Sequence, residues 1–165
     1  LWHVIDGKGE KIKGLPDDDS NVTAVRKVVA LHSGVVDNRT PETVWDSVEH
    51  EFSFYHRDFV QRLDSEQYRD KLVRLFGDNA LSTRQVSVAW YESTFHEGMR
   101  TAEVRMESTF EFTTASPDYL AANRFELNKP YTQRRTVSLS LEGDTWRIGM
   151  MEKEPLTKSA GKPGG

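Results

Sequence analysis

Titratable side chains gather between residues 50 and 58, where they could support acid–base or metal chemistry. His50, His56 and Asp58 are the candidate acid–base groups, and Tyr55 lies between the two histidines. General acid–base catalysis needs such a group in a pocket that adjusts its pKa. The two histidines are six residues apart, which places them on different faces of a helix and forms no metal-binding motif. We therefore retain His50, Tyr55, His56 and Asp58 as an alternative pocket and predict no catalytic, cofactor-binding or metal-binding residue.

Composition excludes several other classes of site. The chain has no cysteine, which removes disulfides, zinc–thiolate centres and cysteine nucleophiles. It carries 22 basic and 26 acidic residues, with a net charge of −4 and no basic cluster that could neutralise a run of phosphates, so no nucleic-acid partner is expected. Motifs of serine hydrolases, P-loop NTPases and dinucleotide-binding domains do not occur. No apolar run approaches the 18 or so residues of a membrane span.

The first half of the chain has helical periodicity. Asp19 or Ser20 is the predicted N-cap of a helix that runs to about Val36. Thr40 and Pro41 indicate a second helix start. Asp64, with Gln67 three residues later, predicts a further helix that ends at Gly77. These segments carry an aromatic-rich apolar face that needs a partner layer.

The second half alternates with the period of a β-strand. Between Arg100 and Thr113, apolar residues occupy one parity and charged or hydroxyl residues the other, and only Ser108 breaks the apolar row. Further strands are predicted at 84–95, 131–142 and around 146–150. The predicted inward residues are Val86, Val88, Trp90, Ala102, Val104, Met106, Phe110, Phe112, Val137, Leu139, Leu141, Trp146, Ile148 and Met150.

Helices followed by long antiparallel strands predict an α+β fold, with N-terminal helices packed on one face of a curved antiparallel sheet. We predict an extended arm or small hairpin over residues 1–19, because Asp6-Gly7 is a turn signal between short apolar segments. A single domain should cover residues 20–155, and residues 156–165 should form a disordered tail rich in Gly, Pro and Lys.

This order of elements, closed by the turn and strand at Gly143–Ile148, resembles the nuclear-transport-factor-like cone fold. Within that superfamily, the chain is similar to the periplasmic domains of VirB/TraE-type inner-membrane components of type IV secretion and conjugation machines. The matching features are an extended arm (Leu1–Pro16), a helix leading into Asn38–Val44, a helix that ends at Gly77, and a closing strand pair around Trp146.

That resemblance implies a non-enzymatic scaffold domain that acts through protein–protein contacts at the periplasmic face of the inner membrane, with the cytoplasm as the alternative location. It also implies a membrane anchor in a segment before Leu1, and partners among the other secretion-complex components. A competing resemblance, through Phe54-Tyr55-His56 and Trp146-Arg147-Ile148, is to dioxygenase small subunits and dehydratase-like enzymes. It implies an enzyme or a small-ligand-binding protein with a pocket between the helices and the sheet.

A scaffold in a multi-copy complex should self-associate, and we expect a weak dimer or higher oligomer. Two surfaces are candidates. The first helix could present Val25, Val29 and Val36 beyond what the sheet covers. The outward face of the sheet should mix charge with aromatic surface, as interfaces often do. The residues predicted there are Arg105, Tyr131, Gln133 and Arg135.

Overall fold

The computed structural model describes residues 15–159, together with the backbone of two short strands near the N-terminus. Helices come first along the chain, and a large sheet follows. The elements are β1 (His3–Val4), β2 (Ile12–Lys13), α1 (Ser20–Val36), α2 (Val44–Phe52), α3 (Arg57–Ser65), α4 (Tyr68–Asp78), β3 (Ser82–His96), β4 (Thr101–Thr114), α5 (Pro117–Asn123), β5 (Tyr131–Glu142), β6 (Thr145–Lys153) and β7 (Thr157–Lys158).

The sheet is antiparallel and follows the chain order from β1 to β6, while β7 pairs with β5. It is curved and does not close on itself, and the helices pack against it. This arrangement confirms the predicted α+β fold. The turn predicted at Asp6-Gly7 and the tail beyond residue 159 lie outside the described residues. Thr157 and Lys158, predicted as tail, form β7.

Strand β4 is the central strand, as its alternation indicates. Its inward row is buried, with Val104 and Met106 fully enclosed. Ser108 keeps the inward parity and is also fully buried, because its hydroxyl donates to Asp37 Oδ2 at 2.6 Å. The apparent break in the apolar row is therefore a polar contact with the helical layer.

Helix α1 begins where the cap signal predicts. The Asp19 carboxylate accepts hydrogen bonds from the backbone N–H groups of Asn21 at 2.8 Å and Val22 at 3.2 Å. Val25 and Val29 are fully buried against the sheet. They form part of the core and supply no exposed interface, which corrects the predicted first-helix surface at these two positions. Val36, the third predicted residue, is half-buried at the end of the helix.

One local prediction in the helical half is wrong. Asp64 does not start a helix, because it lies within α3. Helix α4 instead begins at Tyr68, after Gln67 adopts a left-handed backbone conformation with φ of 58°. Gln67 therefore lies in the turn between α3 and α4, and the capping-box pattern does not predict this turn.

Strand β5 corrects the predicted outward face. Tyr131 and Arg135 are each 3% exposed and face the helices. The reason is parity: together with Gln133 they share the odd-numbered row of Val137 and Leu139, which is the inward row. Arg105 does lie on the outward face of β4, where its guanidinium contacts Glu92 at 3.1 Å.

Two β-bulges also change the predicted inward rows. Between β5 and β6 the register shifts at Ser138/Leu139, so Gly149 has no paired residue on β5. Met150 is 44% exposed as a result. Met151 packs against the core in its place. A second shift lies between Gln85 and Ser87, and it leaves Val86 51% exposed.

Candidate functional site: a charged cavity between helices and sheet

Glu51, on α2, is the centre of a buried hydrogen-bond network. Its carboxylate accepts from Arg39 Nη2 and from the Tyr55 hydroxyl in short contacts. It also accepts from the Tyr68 hydroxyl, at 2.8 Å and 3.0 Å to its two oxygens. The side chains of Arg39 and Glu51 are each 3% exposed. Three donors therefore engage the carboxylate, and the one Tyr68 proton is shared between its two oxygens, so Glu51 has little capacity left for another partner.

Burial and the Glu51 charge both raise the pKa values of Tyr55 and Tyr68. Both phenols therefore remain protonated at neutral pH and act as hydrogen-bond donors. Phe52 and Phe59 flank Tyr55, with ring centroids at 5.9 Å and 4.6 Å. The network is thus held inside an aromatic shell in which the tyrosines serve as structural donors to a carboxylate.

His32, on α1, extends this network through its Nε2 atom, which lies 2.8 Å from the Tyr55 hydroxyl. Since that hydroxyl donates its proton to Glu51, the Nε2–H group of His32 must be the donor to Tyr55. The other ring nitrogen, Nδ1, is buried and has no hydrogen-bond partner among the described residues. Burial, with smaller contributions from Lys153, Arg135 and Arg39, lowers the pKa of His32 well below its ordinary value.

A second buried ion pair joins the end of α1 to the sheet. Arg135 donates from Nη1 to Asp37 Oδ2 at 2.9 Å and from Nη2 to Asp37 Oδ1 at 2.7 Å. Ser108 donates to the same Oδ2 atom. Arg135 also donates from Nε to Gln133 Oε1 at 2.9 Å. Both oxygens of Asp37 therefore accept hydrogen bonds from residues of the sheet, and these bonds fix the position of α1 on β4 and β5.

Lys153 ends β6 and lies directly opposite Arg135 across the β5–β6 pair, on the inward face of the sheet. Among the described residues, no ion pair or hydrogen bond engages its ammonium group, although the residue is exposed to solvent. Protein atoms nevertheless crowd the ammonium, and this desolvation, together with the Arg135 charge, lowers its pKa. Lys153 is thus a cation placed beside another cation.

A cavity of about 250 Å³ opens beside this lysine. One wall is polar and holds Asp37, Arg39, Tyr68, Arg135 and Lys153. The rest of the lining is mostly apolar and comes from α4, β4, α5 and the segments after α4 and β6. Its main members are Leu72, Leu75, Phe76, Leu81, Phe110, Phe112, Tyr119 and Leu156.

Tyr68 and Lys153 also line a smaller cavity of about 170 Å³, which adjoins Glu51, Tyr55, Phe59 and Met151. The two cavities therefore share a tyrosine and a lysine at their boundary. Arg62 lies at the edge of the smaller cavity. Its Nε atom is 3.9 Å from Oε2 of Glu66, the residue that follows α3.

The alternative pocket is not assembled as one group. Tyr55 is buried and lines the smaller cavity. His50 is exposed and stacks on Phe54, with ring centroids 5.5 Å apart. His56 caps α3 by accepting from the Asp58 backbone N–H at Nδ1, and its Nε2 atom lies 3.2 Å from Glu142. His56 therefore acts at a helix end near the β5–β6 turn, and Asp58 is exposed beside it.

Sequence reasoning missed four charged residues in and beside the two cavities, Asp37, Arg39, Glu51 and Lys153, and it placed a fifth, Arg135, on the outward face of the sheet. A signal was present for some of them. Glu51 continues the helical face of Val44 and Val48, and Arg135 continues the strand row of Val137. A charged residue on an apolar row predicts a buried partner. The identity of that partner depends on contacts such as Asp37 with Arg135, which are distant in sequence.

Comparison with known proteins supports the fold. No family model matches the chain, and no curated protein matches it. Among solved structures, it is similar to an IcmL-like type IV secretion system protein from Legionella pneumophila subsp. pneumophila strain Philadelphia 1. The TM-score is 0.60 at 10% sequence identity, over 90% of this chain and 100% of the other. The chain thus has the fold of a type IV secretion component, in agreement with the resemblance read from the sequence.

Proposed function

We propose that this chain is a non-enzymatic assembly domain of a type IV secretion or conjugative transfer complex, acting through protein–protein contacts. The observation that carries the proposal is the shared fold with the IcmL-like secretion protein, which extends over all of that chain. Because a fold can host many functions, the proposal also rests on features of this molecule.

The internal charges favour a structural role over catalysis. Each carboxylate oxygen of Glu51 and Asp37 accepts at least one hydrogen bond from a donor of the same chain. A carboxylate held in this way is a poor general base, because its lone pairs are engaged and stabilised by arginine. The Asp37–Arg135 pair instead joins the end of α1 to the sheet, and the Arg39–Glu51 pair holds the segment after α1 against α2. Such fixed contacts suit a rigid assembly module.

The outward face of the sheet is the surface that we propose for self-association. Arg105 contacts Glu92, and Arg134 contacts Glu107 at 2.8 Å. Tyr91 lies among them, 45% exposed, with the Arg134 guanidinium 5.3 Å from its ring. Both signs of charge alternate over this patch, so a second copy rotated by a two-fold axis can meet it with opposite charges.

We place this domain at the periplasmic face of the inner membrane, tethered by a segment that precedes Leu1. A tether raises the effective concentration of copies to about the millimolar range, so a weak interface suffices for assembly. Within the described residues, no helix is long and apolar enough to cross a membrane. Protease accessibility of the full-length protein in spheroplasts tests the location: digestion from outside supports the periplasm, and protection supports the cytoplasmic alternative.

The assembly proposal is tested by photo-crosslinking of the full-length protein in its own cells. A photoreactive residue replaces Arg105 on the outward sheet face, and a control replaces the exposed Arg57 on α3. We expect a homodimer adduct from position 105 and little from position 57. Equal adducts from both positions, or none from position 105, would count against this interface.

A further inference from the structure

We propose that the cavity between the helices and the sheet binds a small amphipathic carboxylate, with its head group on the Lys153 ammonium and its apolar part against α4 and β4. This site is independent of the proposed assembly surface, which lies on the other face of the sheet. The argument rests on the charges of the cavity wall, on the position of Lys153 and on the apolar lining.

The charges around the cavity leave one cation without a counterion. Arg39 is matched by Glu51 and Arg135 by Asp37, both in buried pairs. Lys153 is the third cation of the wall, and among the described residues neither carboxylate forms an ion pair or a hydrogen bond with it. The local charge is therefore +1 when Lys153 is protonated, and an anion in the cavity would neutralise it.

The position of Lys153 is unfavourable without such an anion. Lys153 and Arg135 are directly opposite residues of two antiparallel strands, where like charges repel. A lysine in this place can turn its flexible side chain toward solvent through the open side of the cavity. An anionic group between the ammonium and the solvent would replace this repulsion with an attraction and add a charge-assisted hydrogen bond.

The volume and lining of the cavity determine the size and polarity of the uncharged part of the ligand. The volume of about 250 Å³ is at the small end of ligand pockets. Leu72, Phe76, Phe110 and Phe112 line the same cavity as the charged residues. A short hydrocarbon chain or a single aromatic ring fits this lining, whereas a nucleotide or sugar would find few free polar partners. One negative charge with a compact apolar body is therefore the expected ligand chemistry.

The test uses octanoate as the probe, titrated into the purified chain and followed by calorimetry, with 1-octanol as the uncharged probe of the same chain length. We expect one octanoate to bind per chain, and octanol to bind at least about tenfold more weakly, because the charged hydrogen bond is lost. Absence of octanoate binding, or equal binding of the two probes, would overturn the proposal.

Variants assign the contact to Lys153. Lys153→Met keeps the length of the side chain and should weaken octanoate binding by about tenfold or more, while Lys153→Arg should retain it. Lys71→Met is the matched control, since Lys71 is an exposed lysine of α4 that does not line either cavity. Equal affinity of the Lys153→Met and Lys71→Met variants would contradict the proposal. Because the readout is binding by the isolated chain, its failure leaves the assembly function untouched.

Discussion

Asp37 and Arg135 are 98 residues apart in sequence and meet through two hydrogen bonds with both side chains almost fully buried. This pair connects the end of the first helix to the middle of the sheet. It also explains why a charged residue occupies the inward row of β5. A buried pair of this kind is costly to break, because removal of one partner leaves the other charge unpaired.

Asp37→Asn should therefore destabilise the protein by about 3–5 kcal/mol, since the Arg135 guanidinium would stay buried without a carboxylate. Urea unfolding measures the loss. Asp17→Asn is the control, because Asp17 pairs with Arg26 at the surface with 86% of its side chain exposed. That change should cost less than about 1 kcal/mol. Similar losses in the two variants would show that the Asp37 pair is not the anchor described here.

The pH dependence of stability should carry the signature of His32. Its pKa is lowered in the folded state, whereas the unfolded chain has an ordinary histidine pKa near about 6.5. As the pH falls below that value, the unfolded state takes up a proton before the folded state does, so stability is lost. His32→Gln should flatten the decline between about pH 6.5 and pH 5 in urea unfolding.

Val29→Ala serves as the control for this measurement, since it removes buried core volume without removing a titratable group. It should lower the stability at every pH by a similar amount and leave the slope unchanged. An unchanged slope in His32→Gln would mean that His32 does not titrate differently in the folded and unfolded chains.

Phe110 tests the assigned register of β4. It is 8% exposed and packs edge-on against Phe112, with ring centroids 5.9 Å apart. Phe110→Ala should cost about 3–5 kcal/mol through lost burial and a residual cavity. Val86→Ala, at a residue 51% exposed beside a β-bulge, should change stability by less than about 0.5 kcal/mol. A loss below about 1 kcal/mol for Phe110→Ala would contradict the register.

Self-association is testable in solution. We expect a monomer–dimer equilibrium with a total buried area of roughly 1,200 Å² or less, near the lower limit of specific interfaces. Arg105→Glu should shift the equilibrium toward monomer in sedimentation experiments, because it reverses a charge in the proposed patch. Arg57→Glu produces the same change in net charge away from the patch and should leave dimerisation intact. A strict monomer at millimolar concentration would argue against the interface.

Local signals predicted much of this fold. The Asp19 cap is decided within a few residues, and the alternation along β4 is decided by strand geometry alone. Each of these features depends on neighbours in sequence, which is why a pattern is sufficient to reveal it.

Errors arose where distant contacts or register shifts decide the outcome. The bulge near Gly149 exchanges Met150 for Met151 on the inward face, and no residue pattern in β6 specifies it. The charged residues of the cavity come from the end of α1 and the segment after it, and from β5 and β6, so their pairs cannot be assigned from one segment. Strand parity alone places Arg135 on the inward face of β5. The charged and aromatic side chains near it in sequence instead suggest an exposed surface patch, and this explains the wrong prediction.

The most direct test of the central claim is a transport assay in the organism that encodes this chain. Deletion of the gene should abolish transfer of a type IV secretion reporter, and a plasmid copy of the full-length gene should restore it. Complementation with the Arg57→Glu variant should also succeed, while the Arg105→Glu variant should transfer less reporter at equal protein levels. Undiminished transfer after deletion would contradict the proposal that this chain is an assembly domain of such a machine.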